Sequence, residues 1–210
     1  MRYSQASKKT AIKRNRASAP LKAILKAREA KGDLNPNTDY TFVDHGCGYR
    51  SDVRHLIGLG HTVQGYDPNH QNSLGCEDIV NPDYILSTYV MNVIHGNGLE
   101  QDWFEDIIKR MGYYTICFIT VRTDIKQDGF TSKGTFQKAV NFPSWCNLEC
   151  KGSGFKTYRF TIESLRRLAA DRYAMHHFGR YPESACLDAT GGNRFDAVAK
   201  KRSQRQDIIS

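Results

Sequence analysis

From residue 41 onward the chain repeats one pattern: a short apolar run, a turn carrying an acid or glycines, then a segment of helical period. The first cycle is the plainest. Phe42-Val-Asp-His-Gly-Cys-Gly48 is an apolar run closed by an acid and two glycines one residue apart; Ser51 to Leu59 follows with helical spacing, and Thr62 to Asp67 is a second apolar run. Strand, tight turn, helix and strand in that order call for a parallel sheet with crossover helices. Tyr84 to Val90 and Tyr113 to Val121 predict two more buried strands with a helix over Leu99 to Met111 between them, and Tyr113, Tyr114 and Phe118 are expected in the core. Residues 123–155, rich in Gly, Lys, Ser and Asn, predict an extended loop. A strand at Phe155 to Phe160, a helix at Thr161 to Asp171 and strands near Tyr173 to Phe178 and Phe195 to Lys200 complete the expectation. The expected fold class is α/β, a doubly wound, mostly parallel seven-stranded sheet behind a basic N-terminal helical arm.

That arm is where charge becomes informative. Residues 1–40 carry ten Lys or Arg against three acids, whereas residues 41–210 carry 20 basic and 19 acidic groups, so nearly all of the net charge of +8 belongs to the arm. Residues 1–17 are polar and basic, and Lys8, Lys9, Lys13, Arg14 and Arg16 are placed to neutralise phosphates, which makes nucleic acid a natural partner; a solvated tail is the plain alternative. Ser18-Ala-Pro20 then opens a helix, with Ser18 or Ala19 as cap and Pro20 in the first turn. Leu21, Ile24 and Leu25 share one face that docks on the core, and Gly32 ends the helix. The expected division is an arm over 1–40, a cofactor-binding domain over 41–202 and a tail over 203–210.

At 210 residues and 40% hydrophobic composition the chain can bury one substantial core, and no run approaches the roughly 18 apolar residues of a membrane span. No apolar stretch follows the N-terminal basic residues as a secretory signal requires. The six cysteines show no disulfide rhythm, so a cytoplasmic location is expected. Cys146 and Cys150 with His176 and His177 are too loosely matched to assign a zinc site, and no metal is expected.

Two glycines after a strand let a ligand approach the backbone at the next helix N-terminus. The pattern G-x-G-x-x-G is incomplete, because Ser51 stands where the third glycine belongs. Asp44 also argues against a pyrophosphate there, since an acid at the loop mouth repels phosphate but suits an ammonium or a sulfonium. Nineteen residues beyond Gly48, Asp67 closes the second strand before Pro68, where a carboxylate can accept both hydroxyls of a ribose. Asp78, in the turn Cys76-Glu-Asp-Ile79, can accept from an adenine amino group.

Asp44-His-Gly-Cys-Gly48, Gly65-Tyr-Asp67-Pro, Asp78-Ile79 and the Tyr84 to Val90 strand running into Met91-Asn92-Val93-Ile94 resemble the class I S-adenosylmethionine-dependent methyltransferases. Thr10-Ala-Ile-Lys-Arg14, Ser18-Ala-Pro-Leu21, Tyr89-Val-Met-Asn-Val-Ile94 and Gly134-Thr-Phe-Gln-Lys138 further resemble uncharacterised phage and bacterial methyltransferases related to those associated with DNA phosphorothioation genes. The resemblance implies S-adenosylmethionine as cofactor, with Asp44, His45, Gly46, Cys47 and Gly48 against its methionine part. Asp67 and Pro68 would border the ribose, Asp78 and Ile79 the adenine, and Ser87 the end of the fourth strand. Arg50 is a departure, since the subgroup usually shows glycine near that position; Arg50 can instead point outward toward an acidic substrate.

Methyl transfer is an in-line displacement that asks the protein mainly for alignment and exclusion of water. Tyr89 and Asn92 are the expected acceptor-orienting residues and His95 the expected proton acceptor. Each has a plainer role open to it: Tyr89 in strand packing, Asn92 as a helix cap, His95 in a loop. His45 beside the glycines can stack, make a structural hydrogen bond or do acid-base work. The Asn/Asp-Pro-Pro-Tyr turn of amino-methylating DNA enzymes and the Pro-Cys of cytosine C5 enzymes are both absent, so a conventional DNA base methylase is not expected. The expected activity is methyl transfer to a nucleic acid or a nucleic-acid-associated acceptor. The alternatives are a non-catalytic binding module of the same fold, or a methyltransferase acting on protein or a small molecule.

Overall fold

The computed structural model describes residues 11, 13–67, 80–94, 97–132 and 134–178. The chain divides into two compact units, 1–165 and 166–210. The first holds every strand described below; in the second, residues 166–178 are helical. The expected strand over Tyr173 to Phe178 is therefore corrected, because helix α4, Ile162–Phe178, runs through it. The expected strand over Phe195 to Lys200 lies outside the described residues, as do the side chains of His176 and His177.

Helix α1 spans Ala19–Ala30, with Ser18 as its N-cap accepting from the Leu21 N–H at 3.2 Å. Strand β1, Thr41–His45, leads through the glycine loop into α2, Ser51–Gly58, and back along β2, Thr62–Tyr66. Strand β3, Tyr84–Thr88, ends in a single 3₁₀ turn, Val90–Asn92, before α3, Asn97–Arg110, and β4, Ile116–Arg122. The stretch expected as loop instead carries three strands: the small hairpin β5, Gly129–Phe130, with β6, Phe136–Gln137, and then β7, Asn147–Gly152, which pairs antiparallel with β8, Phe155–Phe160. Turn-forming composition concealed β7 because Asn147, Lys151 and Gly152 lie at the sheet's outer edge, where polar side chains cost nothing.

The main sheet has six described strands in the order β2-β1-β3-β4-β8-β7, against the seven expected. Pairs β1–β2, β1–β3 and β3–β4 are parallel, while β8 runs antiparallel beside β4. Period-two alternation sorts the faces. Phe42, Tyr84, Leu86 and Phe118 meet Leu21, Ile24 and Leu25 of α1 and Leu56 of α2 in one buried cluster. His45 turns to the other face, toward Trp103 and Asp106 of α3. Helix α1 is thus part of the core: Arg28, only 7% exposed, pairs with Asp33 at 2.9 Å and lies over the Phe118 ring. Tyr113 and Tyr114, expected inside, are 75% and 88% exposed. They fill the turn before β4 and stack edge-to-face on each other, outside the reach of the strand's alternation. Among the described residues no helix is long and apolar enough to cross a membrane.

Candidate functional site

Parallel strands leave their carboxyl ends on one edge, where loops gather the residues of any site. The β1 end is held against β2 by its own backbone: Gly46 and Cys47 both donate to the Tyr66 carbonyl, at 2.6 and 3.1 Å. Gly46 has φ +90° and Gly48 φ +49°, conformations that favour glycine. Space is closed as well. A Cβ on Gly46 would stand 2.2 Å from Cγ2 of Val90, and one on Gly48 would stand 3.1 Å from Cβ of Ala11.

Arg50 occupies φ 60°, ψ 30° as the residue capping α2, so the loop keeps a left-handed turn without a glycine. Its Nη2 is buried without a hydrogen-bond partner. Relief of backbone strain at this position outweighs the extra freedom glycine brings to the unfolded chain, so Arg50→Gly is expected to raise stability in urea unfolding by about 0.5–1 kcal/mol.

Three carboxylates converge here. Asp67, 9% exposed at the tip of β2, accepts from the Gly48 N–H at 2.9 Å. Asp52, in the first turn of α2, takes two 2.7 Å bonds, one from the Ser18 N–H and one from the Ser18 hydroxyl. Asp44 is 4% exposed, and its carboxyl makes no hydrogen bond among the described residues. Burial, then the neighbouring charges of Asp52 and Asp67, push its carboxyl well above the usual carboxylate range. A buried acid so placed is either protonated or waiting for a cation.

The segment preceding α1 crosses this edge. Ala11 lies against Gly48, the Arg14 carbonyl accepts from the Ser51 hydroxyl at 2.6 Å, and Ser18 closes on Asp52. Sequence spacing did not show the Ser18–Asp52 pair, because Ser18 reads locally as a helix cap and its partner stands 34 residues away.

At the β3 end Tyr89 adopts φ 65°, donates its N–H to the Thr120 carbonyl at 2.8 Å, and accepts from the Asn92 N–H at 3.2 Å. Asn92 is fully buried and its amide is committed: Nδ2 donates to the Lys138 carbonyl at 2.9 Å, and Oδ1 accepts from the Arg122 N–H at 2.8 Å. It therefore ties the ends of β3 and β4 to the segment after β6, and Lys138 pairs in turn with Glu100 at 2.6 Å. Ser87, 1% exposed, donates to the His45 carbonyl at 3.1 Å and joins β3 to β1.

The His45 ring faces α3. Its Nε2 bonds Asp106 Oδ2 at 2.7 Å, and its Nδ1 is buried without a partner. Burial raises the Asp106 carboxyl, but the His45 bond and charge, with Arg110 behind them, outweigh that and hold it below its ordinary value. Among the expected site residues Asp44, Gly46, Cys47, Gly48, Asp67, Ser87, Tyr89 and Asn92 lie along one edge, while the His45 ring is turned beneath it. Pro68, Asp78, Ile79 and His95 lie outside the described residues, as do Lys8 and Lys9. Among the described residues no group of three or more His, Cys, Asp or Glu side chains is placed to hold a metal ion.

No protein-family model matches the chain, and no curated protein matches it. Solved structures with a similar arrangement include one described for the conversion of a disulfide bond into a thioacetal group during echinomycin biosynthesis, 17% identical, covering 52% of each chain with a TM-score of 0.38. A TehB-like SAM-dependent methyltransferase from Corynebacterium glutamicum is 15% identical over 66% of this chain and 86% of that one, with a TM-score of 0.37. The 1,6-didemethyltoxoflavin-N1-methyltransferase of Burkholderia thailandensis, with its ligand and S-adenosylhomocysteine bound, is 13% identical over 68% and 77%, with a TM-score of 0.45. The chain spans about half the length of the first. Similarity at these levels carries no chemistry of its own, which has to come from the residues of the carboxyl edge.

Proposed function

We propose that the chain is an S-adenosylmethionine-dependent methyltransferase. The observation that carries this reading is Asp44: a buried, unpaired carboxyl at the mouth of a glycine loop, with a second acid, Asp67, at the next strand end. Such a pair suits a ligand with a cationic amino-acid part and a ribose. The loop backbone is closely approached on both sides, by Val90 at Gly46 and by Ala11 at Gly48. Asp44 would bind the cation, and Asp67 would accept the ribose hydroxyls; Asp78 and Ile79 remain the proposed adenine contacts.

The cofactor would supply a methyl group on a sulfonium. The chain's part is to hold the acceptor in line and keep water out. Tyr89, at the end of β3, is the residue proposed to orient the acceptor; Asn92 positions it by locking the β3 turn against Arg122 and Lys138. His95 remains the proposed proton acceptor. A nucleic acid or nucleic-acid-associated acceptor is supported by the charge of the arm and by Lys13 and Arg16, both exposed beside the loop. Membership of the phage and bacterial subgroup rests on the four sequence motifs, and a cytoplasmic setting on the cysteine usage.

Calorimetric titration with S-adenosylmethionine and S-adenosylhomocysteine tests the reading. Both are expected to bind, and Asp67→Ala is expected to weaken them by about 100-fold, roughly 3 kcal/mol for charge-assisted bonds to two hydroxyls. Equal affinity in the variant overturns the ribose assignment. Binding without turnover on DNA, RNA, protein or small acceptors favours a non-catalytic module, for which the full commitment of the Asn92 amide to structure is the supporting observation.

A further inference from the structure

The end of β1 is held from both faces of the sheet, and the proposed cofactor contacts account for only one of them. On the other face α3 presents Trp103, Asp106 and Arg110. The His45 ring is 1% exposed and lies edge-on to Trp103, with ring centres 6.4 Å apart. Its Nε2 meets Asp106 Oδ2 at 2.7 Å, and Arg110, one turn further along the helix, brings its Nε to the same oxygen at 3.3 Å. The Arg110 guanidinium carbon also lies 4.9 Å from the centre of the Tyr66 ring, which in turn stands 5.1 Å from the His45 ring. The four contacts close a circuit.

His45 and Tyr66 are the last residues of β1 and β2 and pair with each other in the parallel ladder, so the circuit grips the two strand ends between which the glycine loop is held. The Tyr66 carbonyl accepts both loop N–H groups, from Gly46 at 2.6 Å and from Cys47 at 3.1 Å, and His45 directly precedes Gly46. Alternation along β1 carries the effect to the other face: a His45 ring fixed toward α3 sets the Asp44 carboxyl on the side of Asp52 and Asp67. Burial raises the Asp106 carboxyl, but the His45 bond and charge, then Arg110, hold it below its ordinary value, so it is a carboxylate and the proton of the 2.7 Å bond belongs to Nε2. Without that acceptor both nitrogens of the buried ring would be unpaired, because Nδ1 already has no partner.

We propose that Asp106, backed by Arg110, is a positioning residue for the glycine loop: through the His45 and Tyr66 rings it fixes the turn on which Asp44, Gly46 and Gly48 receive the cofactor, although its own contacts lie on the opposite face from the Asp44 carboxyl. This rests on the reading of the loop as an S-adenosylmethionine site. Packing against Trp103 cannot choose which nitrogen of the imidazole carries the proton; the carboxylate does, and a charge-assisted bond holds the ring more firmly than a neutral one.

Two measurements on the full chain test this: calorimetric titration with S-adenosylhomocysteine, and proton–nitrogen NMR of the His45 ring and of the Gly46 and Cys47 amides. In wild type the His45 proton is expected on Nε2. Asp106→Asn keeps the shape of the acid without its charge; at a temperature where it is fully folded it is expected to shift the Gly46 and Cys47 amide signals and to weaken S-adenosylhomocysteine at least about fivefold. Asp106→Glu, which keeps the charge, is expected to recover part of that affinity, while Lys109→Gln, which removes an exposed charge from the last turn of the same helix, matches wild type in both readouts. Arg110→Gln leaves the His45 bond in place and releases Tyr66, so it is expected to shift the same two amides and supplies the comparison if Asp106→Asn does not fold. A purely structural acid would lower the unfolding temperature and leave amides and affinity of the folded variants at their wild-type values, and that result overturns the proposal. A wild type that does not bind S-adenosylhomocysteine overturns the cofactor reading alone, because the amide signals still report whether Asp106 sets the loop.

Discussion

Asp44→Asn is expected to make the protein more stable while destroying cofactor binding. Folding buries the Asp44 carboxyl among Asp52 and Asp67 and raises its pKa above the unfolded value. A group raised in this way contributes its full stability below the unfolded carboxyl pKa, near 4, and loses it as pH rises through the folded value. Wild type should therefore weaken across that window, whereas the asparagine variant should show no such slope. At pH 8 the variant is expected to be more stable by on the order of 1–2 kcal/mol in urea unfolding. Its affinity for S-adenosylmethionine should meanwhile fall by roughly 100-fold, about 3 kcal/mol for losing a buried charge opposite a bound cation. Linkage adds a sign. A bound cation favours the ionised carboxyl, so affinity should rise with pH up to the folded pKa, with a proton released below it. Calorimetry in two buffers of different ionisation heat measures that proton. A variant less stable than wild type at pH 8, or binding without proton release, removes Asp44 from the site.

Gly46→Ala has the second large effect, through geometry rather than charge. At φ +90° a side chain is strained, and its Cβ would lie 2.2 Å from Cγ2 of Val90, the first residue of the turn that carries Asn92. Either the glycine loop leaves the Tyr66 carbonyl or the Val90 turn moves, and both disturb the edge on which Asp44, Asp67 and Tyr89 meet. A loss of about 2–4 kcal/mol in stability is expected, with cofactor binding lost alongside it. Adding Val90→Ala should return the steric part and leave the backbone part, a non-additivity that a double-mutant cycle in denaturant reads directly. Full additivity would mean that the two residues do not touch.

These residues differ in how visible they were before the fold was known. Asp44, Gly46, Gly48 and Asp67 could be picked out because a strand followed by a tight turn has strong local chemistry: β-branched or aromatic residues, then glycine, with an acid at the end. Ser18 was legible as a cap for the same reason. Asn92 was visible as a polar residue after a strand, but its bonds to Arg122 and Lys138 span 30 and 46 residues. His45 was legible as a neighbour of the glycines, while the face it occupies depends on which side of the sheet receives α3. Tyr113 and Tyr114 misled because the apolar run was started three residues before the strand begins at Ile116.

What the sequence by itself determined is therefore the set of local elements: four strands that parallel pairing would join, the helices between them, the glycine loop and the acids at its mouth. The tertiary structure decided the antiparallel addition of β8 and β7, the burial of Arg28 against Glu149, the closing of Ser18 on Asp52, and the tying of Asn92 to Arg122 and Lys138. Backbone propensity and side-chain period act over a few residues and are written in neighbouring letters. Partners 34 to 118 residues apart, such as Ser18 with Asp52 or Lys31 with Glu149, are chosen only when burying apolar faces brings distant segments together and leaves each buried polar group to find whatever lies opposite.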